Sequence, residues 1–419
     1  MNRVISTGSR AGLSPPGAVV SVTRMELTAV IERQLSRTID LRHGLHRIPE
    51  LGYEEFKTAA AIRAELDQLG IRHVDDIADA PTATVAWIGD TSKPCIALRA
   101  DIDALPITEQ TGCAYCSTHD GRMHACGHDG HISTLLGTAA ILKAIERELP
   151  VCVKFIWQPA EEGGGGAERL CKAGALDGRL GPKVNAIFGL HGWPGLPVGM
   201  VSTKPGPLLA ATDTFEATFV GRGCHGAFPH LGADPIITAA EAVVNLQQFV
   251  SREMDPTDAA VVTIGTINGG TTTNVIPDRA TIAGTARTLN DPARRLIEAS
   301  VRRRCEGIAH ANGCKLEFTW EPGYPATVND PAMAEYVAAT VRRALGPDRF
   351  FPAARAVMGG EDYAYYLEQV PGCFFFVGVM PQDRNEYPSL HSDRFDFTDA
   401  ALAIGMRMFG ELVMGWNAR

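Results

Sequence analysis

Apolar positions recur with helical spacing over residues 26–46 and more sharply in "FKTAAAIRAELDQLG" (56–70). There Ile62, Leu66 and Leu69 share a face and Gly70 supplies the stop. "TATVAWIG" and "CIALRA" read as short apolar strands, and "HISTLLGTAAILKAIERE" (131–148) as a helix. "VCVKFIW" and "VNAIFGL" (184–190) are unbroken apolar runs, the pattern of strands covered on both faces. "AERLCKAG" between them reads as a short helix. Strands alternating with helices predict an α/β fold with a mostly parallel sheet.

The pattern changes after "PGPLLA" (205–210). "DTFEATFVG" alternates as a half-exposed strand does. "DPIITAAEAVVNLQQFVSRE" predicts a helix with Asp234 as cap and Pro235 at its first position. Two strands, "AVVTIGTI" and "RATIAGTART", lead to a second helix with the same Asp-Pro start, and "KLEFTW" closes the set. The order β-α-β-β-α-β is that of a ferredoxin-like α+β unit. The chain returns to α/β with a helix at 332–345, the strand "CFFFVG" and a helix from Thr398. The expected organisation is therefore an extension (1–24, disordered), a larger α/β domain in two parts (25–208 and 321–419), and a smaller domain inserted between them at 209–320.

Bulk properties sharpen this only a little. A chain of 419 residues exceeds what one simple core holds. The net charge of −9 argues against nucleic acid or an anionic membrane as partner. No apolar run approaches the roughly 20 residues of a membrane span, so a cytoplasmic location is expected. The ten cysteines are scattered and read as reduced, mostly buried thiols. "CAYC" (113–116) is a CxxC without a second CxxC or a strand-to-helix context.

The chemistry gathers in four stretches. "GRMHACGHDGH" (121–131) holds Cys126 and His128; "WQPAEEGGGGAE" holds Glu161 and Glu162 after a buried strand; "FGLHGWP" ends another strand with His191; "PSLHSDRF" carries His391. Each alone has a bland explanation: a polar loop, a solvated turn, a hydrogen-bonded histidine. Together they offer five N, S and O donors suited to zinc or a similar ion. Five donors exceed one tetrahedral site and suggest two metals sharing a bridge. Ligands in open α/β sheets bind beyond the carboxyl ends of strands, where three of these stretches are expected. Adjacent Glu161 and Glu162 point opposite ways on an extended backbone. One can hold metal while the other takes a proton from the activated water and passes it to a leaving amine.

With these motifs in view the chain resembles the M20 metallohydrolases, in particular the amidohydrolase subgroup of hippurate hydrolases, N-acyl amino acid amidohydrolases and indoleacetyl-amino acid hydrolases. The likeness runs from about residue 36 to 410 through "LRHGLHRIPELGYEE", "ALRADIDALPI", "MHACGHDGH", "QPAEEGGGGA", "GLHGWP", "HGAFPH", "NGGTTTNVIPD", "GGEDYAYY" and "LHSDRFDF". It implies that Cys126, His128, Glu162, His191 and His391 hold two divalent ions (Zn, Mn, Co or Ni), with Cys126 bridging. It implies Glu161 as general base and then acid, and Asp103 as the residue orienting a ligand. The inserted domain becomes a lid and dimerisation domain of a homodimer or higher homo-oligomer. Within that domain, His225 reaches a neighbouring active site to stabilise the oxyanion, while Asn274 and Arg287 hold the substrate's amide oxygen and carboxylate. Cys224 stands where the family pattern has glycine. The expected reaction is hydrolysis of N-acyl amino acids, hippurate-like substrates included. A dipeptidase or aminoacylase of another branch, and a non-catalytic metal binder or thiol sensor, are the alternatives. Acyl group and native metal stay open.

Overall fold

The computed structural model describes residues 24–416. The expected disordered extension at 1–24 falls, Arg24 apart, outside the described residues. Two helices lead, α1 (Arg24–His46) and α2 (Phe56–Gln68). Ile62 and Leu66 on α2 are fully buried, as their spacing predicts. Then come β1 (His73–Val74), β2 (Thr84–Ile88), β3 (Cys95–Asp101), α3 (His128–Ala144), β4 (Cys152–Gln158), α4 (Gly166–Ala173), β5 (Val184–Pro197) and β6 (Val201–Ser202).

The middle of the chain forms β7 (Gly206–Leu209), β8 (Ala211–Val220), β9 (Cys224–His225), α5 (Pro235–Arg252), β10 (Ala260–Gly269), β11 (Val275–Ile276), β12 (Arg279–Thr288), α6 (Asp291–Ala311) and β13 (Lys315–Pro322). The last part adds β14 (Thr327–Asn329), α7 (Pro331–Ala344), α8 (Ala364–Leu367), β15 (Gly372–Met380) and α9 (Ala400–Met414).

The large sheet has the order β1-β2-β4-β3-β5-β15-β6. Its four central strands β4, β3, β5 and β15 run parallel, and the flanking pairs are antiparallel. Every residue of β3 and β4 is buried, which is why β4 reads as an unbroken apolar run and β3 as a short apolar strand. Both strands bury charge, Arg99 and Asp101 in β3 and Lys154 in β4, and the Lys154 ammonium donates to the Ala175 carbonyl at 2.7 Å. One core packs α1, α2, α3, α7 and α9 against one side of this sheet, with Leu98, Leu136, Phe155, Phe188, Phe375 and Phe409 at its centre. A second core fills the other side under α4 and α8, around Ile156, Leu170, Ile187, Tyr366 and Phe374.

The second sheet, β10-β12-β8-β13, is antiparallel throughout. Phe215, Phe219, Leu246, Phe249, Ile282, Ile297 and Val301 form its core, joining the sheet to α5 and α6. Asp234 caps α5 by accepting from the Ile236 and Ile237 amides. In α6 the Asp-Pro reading is off by one residue: Asn290 is the cap, accepting from the Ala293 amide at 2.8 Å, and Asp291 lies inside the first turn. Among the described residues no helix is long and apolar enough to cross a membrane.

Two further boundaries differ from the sequence reading, and both matter for the site. The helix expected at 131–148 begins at His128. Gly127, with φ of 85°, turns the chain into it, so Cys126 and His128 flank a left-handed glycine at a helix start. The strand expected to end near His191 continues to Pro197, because β15 pairs alongside it as far as Met380. His191 therefore sits within a strand and not at its tip.

Candidate metal centre and active-site cleft

The structure brings four separate stretches to one point. The Cys126 Sγ lies 3.4 Å from His191 Nε2. The His391 Nε2 lies 3.1 Å from a Glu162 carboxylate oxygen. Donor atoms of Cys126, His128 and His191 form one tight group, those of Cys126, Glu162 and His391 a second, and those of His128, Glu161 and Glu162 a third. Cys126, His128 and Glu162 each belong to two of these groups.

Hydrogen bonds settle which nitrogens face inward. His128 Nδ1 lies 2.8 Å from the Asp103 carbonyl, which can only accept, so Nδ1 carries the proton. That leaves the lone pair on Nε2, a buried atom with no hydrogen-bond partner. His191 Nδ1 likewise donates to the Gly192 carbonyl at 2.8 Å and frees its Nε2 toward Cys126. Buried lone pairs on two imidazoles, beside a thiol and a carboxylate, fit divalent transition ions. The Asp103 carboxylate also accepts from the Glu162 amide at 2.9 Å, tying two of the four stretches together. His391 adopts φ of 64°, a left-handed conformation that non-glycine residues rarely hold, and Ala160 just before the Glu pair has φ of 52°.

The two glutamates live differently. Glu161 is 7% exposed. Burial, with repulsion from Glu361 and Glu162, pushes its carboxyl well above the usual range, which suits a group that takes and holds a proton. For Glu162, burial acts in the same direction, but the His391 hydrogen bond and the His128 charge outweigh it and hold the carboxylate down.

A cavity of about 650 Å³ opens over the cluster. Cys126, Glu161, Glu162, His191 and His391 line its floor. Trp193 and Phe376, stacked at 4.3 Å, give an aromatic wall. Arg287, on β12 of the second sheet, lines the same cavity. Partial burial lowers its pKa, with Asp213 opposing. His225 and Asn274 are placed elsewhere. They sit on the small β9–β11 ribbon, where the Gly226 amide donates to the Asn274 carbonyl at 2.8 Å, and both are exposed. Neither lines the cavity.

Several residues that sequence reasoning passed over support this floor. Arg99 is fully buried and makes ion pairs to Asp101 at 2.6 Å and to Glu361 and Asp362 at 3.0 Å. Asp101 in turn accepts from His131 Nδ1 at 2.6 Å, and His131 Nε2 accepts from the Gly192 amide at 2.8 Å. Both His131 nitrogens are therefore used, so this third histidine of the opening cluster positions the strand bearing His191. The Tyr324 hydroxyl donates to the Glu161 carbonyl at 2.7 Å and accepts from the Gly163 and Gly165 amides. The signals were present in "ALRADIDALP" and "GGEDYAYY", but a charge inside an apolar strand reveals its partners only once the sheet is assembled.

The α/β sheet and the donor cluster define a metallohydrolase, and comparison with known proteins gives the family. Residues 97–415 match the model of peptidase family M20/M25/M40, and the chain belongs to that family. It is 40% identical over 380 residues to the N-acetylcysteine deacetylase of Bacillus subtilis (strain 168), covering 90% of this chain and 96% of that protein. It is 38% identical to an ILR1-like IAA-amino acid hydrolase of Arabidopsis thaliana, covering 89% and 84%. Among solved structures, a dinuclear metal-binding M20 peptidase from Bacillus subtilis superimposes with a TM-score of 0.79 at 38% identity, covering 91% of this chain and 98% of that one.

Proposed function

We propose that the protein is a metal-dependent amidohydrolase that splits N-acyl amino acids into a carboxylic acid and a free amino acid. The convergence of donor atoms from Cys126, His128, Glu162, His191 and His391, at a cavity floor that also carries the buried Glu161, is the observation that carries this reading. Two divalent ions held by those five donors would supply Lewis acidity toward water and the scissile carbonyl. Glu161 removes the proton of the attacking water and returns it to the nitrogen of the leaving amino acid. Arg287 holds the free carboxylate of the substrate through its planar fork. The acyl group packs against Trp193 and Phe376. That wall suits acyl groups larger than acetyl, and the hippurate-like benzoyl group is one candidate.

Residues 209–320 act in this reading as an inserted ferredoxin-like lid and dimerisation domain. His225 and Asn274 stand away from the cavity of their own chain, which fits their delivery to the site of a second subunit in a homodimer. There His225 would donate to the oxyanion and Asn274 to the amide oxygen.

Chelation followed by assay tests the reading. Metal-free protein should not hydrolyse N-acetyl, N-benzoyl or N-indoleacetyl amino acids, and adding back Zn, Mn, Co or Ni should restore turnover. Full activity of exhaustively metal-free protein defeats it. Faster cleavage of unblocked dipeptides than of every N-acyl amino acid would move the protein to the dipeptidase branch.

A further inference from the structure

The "CAYC" segment plays no part in the cleft, yet its geometry is specific. Ala114 and Tyr115 form a tight turn closed by the Cys116 amide bonding the Cys113 carbonyl at 3.4 Å. A turn of this kind holds its end Cα atoms within ~7 Å, the span a disulfide requires. The two sulfurs already touch, at 3.2 Å. Both residues are partly exposed, whereas seven of the other eight cysteines are buried. Tyr115 clamps the turn: its ring stacks on His43 at 3.7 Å and its hydroxyl donates to Asp396 at 2.7 Å.

From this geometry we infer that Cys113 and Cys116 form a reversible disulfide, a thiol–disulfide exchange site separate from the hydrolytic cleft. The two thiols are not equivalent. Cys113 faces the Glu109 carboxylate at 3.5 Å, which opposes a negative sulfur there. Burial raises the Cys113 thiol to about 12, and its contacts with Cys116 and Glu109 add to the rise. A thiolate on Cys116, in contrast, can accept the Cys113 S–H, and what opposes it is the dipole of the Cys113 carbonyl at 2.8 Å, not a full charge.

Cys116 is therefore the attacking sulfur and Cys113 the resolving one. With a small organic disulfide as oxidant, the Cys116 thiolate attacks one of its sulfurs. The S–S bond of the oxidant breaks and a small thiolate leaves, taking up a proton. Cys113 then loses its proton and attacks the Cys116 sulfur. A second small thiol departs, so one dithiol and one disulfide become one disulfide and two thiols. Glu109 survives the loss of the Cys113 hydrogen. It still accepts from the Ser117 amide at 2.6 Å and from Thr111, and pairs with His46 at 3.3 Å, so no buried charge is stranded. The Glu109–His46–Asp129 chain links this turn to the first turn of α3, beside His128.

The test equilibrates the full-length, metal-loaded protein with mixtures of reduced and oxidised glutathione, quenches in acid, alkylates and maps the peptides by mass. The expected product is a Cys113–Cys116 disulfide, two hydrogens lighter, formed with oxidised glutathione and reversed by the reduced form. Cys113→Ser should halt the reaction at a glutathione adduct on Cys116, and Cys116→Ser should yield no adduct on Cys113. A wild-type pair that stays a dithiol in pure oxidised glutathione overturns the proposal. So does an adduct that accumulates on Cys113 in the Cys116→Ser protein as fast as on Cys116 in the Cys113→Ser protein.

Discussion

Neighbouring carboxylates with opposite environments are the residue-scale feature from which most of the proposed chemistry follows. Glu161 is buried among other acids and pushed up, while Glu162 is drawn down by His391 and His128. Glu161→Gln keeps the shape and removes the proton carrier. Turnover should fall by ~10² to 10⁴ with metal content intact. Glu162→Gln removes a donor that groups with His391 and Cys126 and with His128, and should lose metal as well. Metal analysis showing the reverse would exchange the two roles. A second residue-scale prediction concerns His46, buried between Asp129 at 2.9 Å and Glu109 at 3.3 Å. Burial alone would lower its pKa, but the two carboxylates raise it from 6.5 to about 10. Since the folded-state pKa is the higher one, this stabilisation is complete below pH 6.5 and lost as pH climbs toward about 10. Denaturant unfolding across that window should show wild type losing more stability than His46→Gln. Parallel pH profiles would mean that His46 is neutral in the native state.

At the scale of elements, the start of α3 decides whether Cys126 and His128 converge. Gly127 holds φ of 85°, and a Cβ there would come within 3.1 Å of Phe397 and 3.2 Å of Phe395. Gly127→Ala should cost about 1–3 kcal/mol from backbone strain, with aromatic displacement added, and should weaken metal binding. Gly44 is the control. It lies exposed within α1, its φ is not positive, and nothing stands within 4 Å of the Cβ position. Gly44→Ala should stabilise by up to ~1 kcal/mol in the same unfolding experiment. Equal effects of the two substitutions would remove the special standing of the turn. The parallel strands and amphipathic helices were readable because their periodicity follows directly from which faces are covered. The first turn of α3 was not, since "GHDG" has no apolar rhythm and its helix is stabilised by packing of Gly130 and Gly127 under Phe397 and Phe395.

For the whole molecule, Arg287 lies on a different sheet from the donors yet lines their cavity, so substrate binding would bridge the two sheets. If Arg287 holds the carboxylate, wild type should prefer an N-acyl amino acid to its C-terminal amide, and Arg287→Ala should lose most of that preference. A charged hydrogen bond is worth ~1.5–3 kcal/mol, so kcat/KM for the free acid should drop at least ten-fold. Arg287→Lys should recover only part, because an ammonium offers no fork. Equal wild-type rates on acid and amide would exclude the clamp. The assignment of His225 to a partner's site has its own test. Glu161→Gln and His225→Ala subunits should each be inactive alone, and exchange between them should regenerate activity, because one of the two mixed sites is intact. No recovery in demonstrated heterodimers would return His225 to a local role.

Residue types and their local spacing, by themselves, determined the alternation of strands and helices, the change of pattern near residue 209 and the pool of metal-capable side chains. Periodicity and side-chain chemistry are local properties that the chain writes in order. Tertiary structure alone decided which of those side chains meet. It engaged both nitrogens of His131 with Asp101 and the Gly192 amide, left His128 Nε2 without a hydrogen bond and turned His191 Nε2 toward Cys126. It placed Arg287 over the cluster and held His225 and Asn274 apart from it. It also set Arg99 beneath the floor among three carboxylates. Hydrogen-bond partners and burial depend on segments hundreds of residues apart, and a linear pattern cannot carry that information until the sheets assemble and bring them together.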